Sequence, residues 1–313
     1  MTDGRPLENP AQVAARVGEL TAAAWVLSAM ATVLARGVEA PLSTDDPAGR
    51  VLVSYGFFEE SGDGLVPTPA CAQALGERAR PFADGIRSTL GQAATAAFRG
   101  ASEAGWGRAF GAEILLAQGR ASAMGGRLTA AYALPALEGL AERFGAVEGG
   151  AFLDVGVGVA ELACAFCEAV PRARVVGLDP LPQAIELAIR TVAAHGLGDR
   201  IELRHQGVEE LDDEAVFDLA WMPLPFIPPP LVREGLGRVW RALKPGGWLL
   251  LPGSTMEPGA GGDIARWQVH LTGGTLLAED ERARVVEETG FTSSVHLDTP
   301  PGTPQMLAVR RPR

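Results

Sequence analysis

From Ala11 to Glu39 apolar residues recur at three- and four-residue steps, at Val13, Val17, Leu20, Ala24, Leu27, Ala31 and Leu34, which predicts that the chain opens on an amphipathic helix. Its longest apolar run, Thr21 to Ala35, is short of the ~20 residues that cross a bilayer and reads as a buried helix. After a break between Pro41 and Pro47 come Val51 to Phe58, the turn-rich Ser61-Gly62-Asp63-Gly64 and the extended Leu65 to Pro69. The Gly-Asp-Gly step supports a hairpin, and Thr68 is placed to cap a helix opening near Pro69. Residues 81–144 read as almost wholly helical, broken by glycines near Gly105, Gly119 and Gly125-Gly126, with the aromatics Trp106, Phe110 and Tyr132 among them. Beyond Gly150 strands and helices alternate: Ala151 to Val155, Glu161 to Ala169, Arg174 to Leu178, Leu181 to Ala194, Ile201 to His205, Phe217 to Trp221, Pro230 to Leu243 and Gly247 to Leu251.

This alternation predicts an α/β domain with a mainly parallel sheet and helices on both faces. A helix, a small hairpin and another helix ahead of it suggest a winged-helix unit. We therefore expect a winged-helix-like domain at 1–82, a helical segment at 83–149, and an α/β domain at 150–313. The 38 acidic and 27 basic side chains leave a net charge of −11, which repels phosphate backbones and argues against a nucleic-acid partner. Lys244 is the only lysine, so no polybasic run offers itself to a membrane. Asp3 and Glu8 precede the first apolar stretch, unlike the basic start of a secretory signal, and the expected location is the cytoplasm.

The strand ending in Leu153-Asp154-Val155 runs into Gly156-Val157-Gly158-Val159-Ala160, where glycines let the backbone approach a nucleotide closely. The second strand ends in Asp179, 25 residues after Asp154, placed to accept hydrogen bonds from a ribose diol. An NAD site has the same features. Cys164 and Cys167 form a C-x-x-C, but within Leu162 to Cys167 they read as apolar packing in a helix turn rather than as a redox pair. Asp212-Asp213-Glu214 reads as a solvated turn, and no metal is expected.

The run from Phe152 to Gly158, then Val176-Gly177-Leu178-Asp179, Phe217-Asp218-Leu219, Leu243-Lys244-Pro245-Gly246-Gly247-Trp248 and the late Glu287 to Phe291 resemble, in order, the motifs of class I S-adenosylmethionine-dependent methyltransferases. The resemblance covers 150–313 and implies a Rossmann-like fold with a C-terminal β-hairpin. Tyr55 to Phe58 and Pro67 to Pro69 are similar, more loosely, to the winged-helix dimerisation domain of small-molecule O-methyltransferases, which implies a homodimer. By this resemblance Asp154, Gly156 and Gly158 shape the loop beside the methionine and ribose moieties of S-adenosylmethionine, and Asp179 holds the ribose hydroxyls. Ala160 stands where the family has a third glycine. The acid that contacts adenine falls near Val208, leaving Glu209 as a substitute.

The segment that supplies a histidine base in many relatives falls at Pro223 to Pro229, which has none. His270 is the remaining candidate base; a surface or structural histidine is the competing reading. Tyr132, Trp221, Met222, Phe226 and Trp267, with Met256, are candidates to line an apolar acceptor pocket. Methyl transfer from an activated sulfonium proceeds largely by alignment and water exclusion. The expected function is thus proximity-driven methylation of a small hydrophobic or aromatic metabolite, as in secondary metabolism. The alternative is a non-methylating use of the same cofactor, as in a decarboxylase or pericyclase.

Overall fold

The computed structural model describes residues 6–37, 41–62, 64–99, 107–253, 259–300, 303 and 305–313, apart from the side chain of Glu77. The chain divides into two compact units, Met1–Ala94 and Thr95–Arg313.

In the first unit, helix α1 (Pro10–Arg36) starts at Asn9, whose side chain accepts from the Gln12 amide, and ends at Gly37 with φ of +91°. The predicted face is not buried in this chain: Val13, Val17, Leu20 and Leu27 are exposed, and Trp25 is 73% exposed. Burial is confined to Val26 and the Met30 to Leu34 turns. The reading of Thr21 to Ala35 as a buried helix is therefore corrected. Apolar side chains surround α1, so docking its last two turns leaves the rest bare. By length and composition α1 is also long and apolar enough to cross a membrane.

Asp46 caps helix α2 (Pro47–Ser54), its carboxylate accepting from the Gly49 amide at 2.8 Å. Pro47 at the first helical position is pre-set for that start, so the helix takes in Val51 to Ser54. The hairpin forms from β1 (Phe58–Ser61) and β2 (Gly64–Pro67), with Phe58 opposite Pro67; Asp63 lies outside the described residues. Thr68 caps α3 (Pro69–Leu75) as expected, accepting from the Cys71 amide. Leu34, Leu52, Phe58, Leu65, Leu75 and Ile86 form this unit's core. The last of these lies on α4 (Ala79–Arg99).

In the second unit α5 (Ala112–Leu128) runs through Gly119, Gly125 and Gly126 without a break, against expectation; Gly105 and Trp106 lie outside the described residues. Close packing explains the glycines. A Cβ on Gly126 would lie 2.3 Å from the Leu162 carbonyl oxygen, and one on Gly119 would lie 2.0 Å from Val159 Cγ2. A π-helical turn (Thr129–Ala133) leads into the short α6 (Leu134–Ala136) and α7 (Leu140–Gly145).

From β3 (Ala151–Val155) onward the alternation follows the expected path. The elements are α8 (Glu161–Ala169), β4 (Arg174–Leu178), α9 (Pro182–Ala194), β5 (Ile201–Arg204), β6 (Phe217–Trp221), α10 (Pro229–Ala242), β7 (Leu243–Gly253), α11 (Ala260–Thr272), α12 (Glu279–Thr289), β8 (Thr292–Leu297) and β9 (Gln305–Arg310). The sheet order is β5-β4-β3-β6-β7-β9-β8. Strands β3 to β7 pair in parallel, and β9 runs antiparallel between β7 and β8. One face packs Phe152, Leu219 and Trp221 against α8 and α9. The other packs Leu153, Ala220 and Leu249 against α10 and α12. The strand order reverses between β3 and β6, which places the ligand crevice at their carboxyl ends.

Candidate functional site

Asp154 is the fourth residue of β3, in register with Gly177 of β4 and Trp221 of β6. Its carboxyl is buried and Oδ2 has no hydrogen-bond partner. Burial, reinforced by the negative charge of Asp179, pushes its pKa up to about 8. A buried carboxyl without a donor is costly, so this orphaned oxygen marks a point where a ligand donor or cation fits.

The chain leaves β3 through Gly156 (φ +72°) and Gly158 (φ +57°). The amides of Gly156 and Val157 both donate to the Leu178 carbonyl at 2.8 Å. This pair of hydrogen bonds ties the loop to the end of β4, and nothing lies within 4 Å of where a Gly156 Cβ would sit. Such an open, backbone-lined cradle suits a ligand that approaches closely. The Gly158 amide donates to Asp179 Oδ2 at 2.9 Å and the Leu181 amide to Oδ1 at 2.8 Å. Burial raises the Asp179 pKa, while these two amides and His205 oppose the shift. Each oxygen keeps a lone pair for a ribose hydroxyl. Ala160 holds a left-handed conformation (φ +66°) with its methyl buried, so it starts α8 at a strain of about 1–2 kcal/mol.

Glu209 is half-buried in the 3₁₀ turn Val208–Glu210 after β5. Its carboxylate folds over Gly207, 2.4 Å from where a Cβ there would be. Glu210, by contrast, is consumed as a cap, accepting from the Gly207 amide. Asp154, Gly156, Gly158 and Asp179 are thus brought together, with Glu209 at the end of the third strand in that row.

The acceptor candidates separate. Trp221 ends β6 beside Asp154, its ring edge 3.2 Å from where a Gly125 Cβ would lie. Met222 faces the opposite side of the sheet, with its methyl against Gly235 of α10. It belongs to the core because the strand alternates, which corrects its assignment to the pocket. Phe226 is partly exposed in the 3₁₀ turn Leu224–Phe226, and Tyr132 is half-buried in the π-helical turn. Trp267 and His270 lie stacked on the exposed side of α11, ring centroids 5.8 Å apart. Met256 falls outside the described residues.

His195 contacts Glu168 at 2.7 Å, His205 the Pro180 carbonyl, and His296 lies 3.8 Å from Glu279. All four histidines of the chain are therefore placed, and none lies in the turn after β6. Burial lifts Cys164 to about 12 and Cys167 to about 11, as expected for packed rather than redox thiols.

The sequence reading missed the role of Asp218. Buried at the start of β6, it accepts from the Ala151 amide (2.9 Å), Lys244 Nζ (2.9 Å) and Arg143 Nη1 (3.3 Å). It pins β3 to β6, the two strands that frame the crevice. Its signal was a lone acid inside an apolar strand together with the chain's only lysine.

Residues 152–247 match the family described as "Methyltransferase domain". These residues are a methyltransferase domain. The orphaned Asp154 oxygen, the glycine cradle and Asp179 fit S-adenosylmethionine. A stretch of 99 residues is 32% identical to demethylmenaquinone methyltransferase of Deinococcus radiodurans, covering 32% of this chain and 41% of that protein. The chain thus spans less than half the length of this curated relative. The whole fold is similar to an O-methyltransferase family protein from Burkholderia thailandensis at a TM-score of 0.66 and 17% identity, over 98% of this chain and 99% of that one. It is also similar to human N-acetylserotonin methyltransferase in complex with S-adenosylmethionine, at 0.63 and 13% over the full length of both.

Proposed function

We propose that the protein is a small-molecule methyltransferase that works by alignment, without a dedicated histidine base. The observation that supports this reading most is the convergence of Asp154, the Gly156–Gly158 loop and Asp179 at the switch point of the methyltransferase sheet. S-adenosylmethionine, once bound, supplies a methyl group on a positively charged sulfur. The chain's part is to hold the ribose through Asp179, to offer the buried Asp154 carboxyl to a cation or donor, and to set the acceptor against Trp221 and Phe226. With proline at 223, 225, 228 and 229 and no histidine in that turn, an acceptor that needs deprotonation would have to arrive ionised or use another group. His270, exposed on α11, is the candidate for that secondary role.

We further propose a cytoplasmic homodimer. The bare apolar flank of α1, from Val13 to Leu27, would face a second copy through a winged-helix-like domain at 1–82, with 83–149 as linker and lid. The three similar proteins named above are methyltransferases, which supports the reaction class.

Calorimetry with S-adenosylhomocysteine is the test. Binding is expected, and Asp179→Ala should weaken it by one to two decades, since hydrogen bonds to a charged group contribute about 1.5–3 kcal/mol. Binding of NAD with none of S-adenosylhomocysteine would refute the reading. Binding without any S-adenosylhomocysteine formed from S-adenosylmethionine across an acceptor panel would favour a decarboxylase or pericyclase.

A further inference from the structure

A second polar group stands without a partner at the carboxyl end of the sheet. Arg282 lies in the first turn of α12 yet is only 8% exposed. Its Nε is buried with no hydrogen-bond partner. Among the described residues its guanidinium has no ion pair or hydrogen bond. The neighbouring Glu279, Asp280 and Glu281 are exposed on the same helix, Glu279 lying nearest His296. What Arg282 does approach is bare backbone: Nη1 is 2.6 Å from where a Cβ on Gly253, the last residue of β7, would be.

An arginine does not shed its charge on burial, and a buried cation without a counter-charge is unfavourable. The chain has 38 carboxylates, yet none of the described ones pairs with Arg282. A guanidinium fork matches a carboxylate in a bidentate way, so an anion completes this position. Its place in the sheet says which end of the crevice it serves. The cofactor residues lie along β5, β4 and β3, whereas β7 lies beyond β6. The segment leading into α12 is tied to the turn after β6, since Thr275 Oγ1 donates to the Ile227 carbonyl at 2.7 Å and its amide to the Leu224 carbonyl.

We propose that Arg282 is an anion-binding residue at the acceptor end of the crevice, that it takes a carboxylate, and that the acceptor is an organic acid. The anion site stands on its own; the statement about the acceptor rests on the methyltransferase reading.

The probe is acetate, with acetamide as the neutral control, titrated into the full chain and followed by the arginine Nε–H resonances and by Tm. One Nε–H signal, identified by its loss in Arg282→Gln, should shift saturably with acetate and not with acetamide. Acetate should raise the Tm of the wild type and not that of Arg282→Gln. Gly253→Ala keeps the charge but puts a methyl where Nη1 lies, and should weaken acetate at least several-fold. Without added anion, Arg282→Gln should be no less stable than the wild type, whereas a purely structural arginine would make it less stable. No saturable response, or the same response to acetamide or in Arg282→Gln, overturns the site.

The acceptor half is read separately, from S-adenosylhomocysteine formed with organic acids against their amides. Acids turned over at least ten-fold faster support it. Amides turned over as readily, with acetate still binding, would mean that the site holds a free anion. Absence of S-adenosylhomocysteine binding would sink the methyltransferase reading while leaving the acetate result intact.

Discussion

Asp154→Asn keeps the shape of a buried side chain while removing its ability to ionise, and the consequence can be worked out from the structure. The ordinary aspartate value of 3.8 is pushed up to about 8 by burial, with the Asp179 charge as the second cause. Between those values the unfolded chain has lost the proton and the folded chain keeps it, so the unfolded state binds fewer protons and stability falls as pH rises. The slope is about 1.4 kcal/mol per pH unit, and the loss from pH 4 to pH 7 is about 4 kcal/mol. Above pH 8 the effect levels off, and below 3.8 it is absent. The asparagine variant has no such titration. Its amide hydrogens meet no acceptor, which costs about 1–3 kcal/mol, but that cost does not vary with pH. Urea unfolding of both proteins at pH 4.5, 6 and 7.5, followed by the fluorescence of Trp221, Trp240 and Trp248, isolates the term, because general charge effects are common to both. The variant should gain on the wild type by several kcal/mol across the series. A difference that stays constant with pH would show that Asp154 is ionised in the fold and that the orphaned oxygen has found a partner. A cationic ligand beside Asp154 should drive off its proton, so S-adenosylmethionine binding near pH 7 is expected to release protons. Calorimetry in buffers of different ionisation heat reads this directly.

Gly126→Ala should destabilise by about 1–3 kcal/mol, since the new methyl meets the backbone of α8. Gly18→Ala, in open space on α1, should stabilise by up to about 1 kcal/mol. Chemical denaturation checks both, and equal effects would remove the packing explanation for the α5 glycines. His270→Ala should lower kcat by well under the ~10²-fold expected for loss of a general base, whereas Trp221→Ala should raise KM and lower kcat together. A larger loss for the histidine, at unchanged cofactor affinity, would establish it as the base. Light scattering should find a dimer that Leu20→Glu or Trp25→Glu converts to monomer. A monomeric wild type that floats with lipid vesicles would assign the bare flank of α1 to a bilayer instead.

What could be read from the sequence divides along a physical line. Glycines at a strand-to-helix turn and an acid ending the next strand are local features, and the structure brings Asp154, Gly156, Gly158 and Asp179 together as their spacing implied. The errors arose where a residue's meaning depends on a neighbour remote in the chain. Gly119, Gly125 and Gly126 read as breaks because glycine lowers helix propensity, yet each faces a close contact with Val159, Leu162 or Trp221, and that contact outweighs the propensity cost of about 1 kcal/mol apiece. Met222 read as pocket because it adjoins Trp221, although strand alternation sends the two to opposite faces, an inference the sequence already allowed. Asp218 and Arg282 mark the limit. Both are buried charges on amphipathic or apolar elements, and nothing local tells that the first is met by Ala151, Arg143 and Lys244 while the second is met by no described residue. The unmet charge is the ground for the anion site proposed above, because among the described residues one buried ion is met three ways and the other by none.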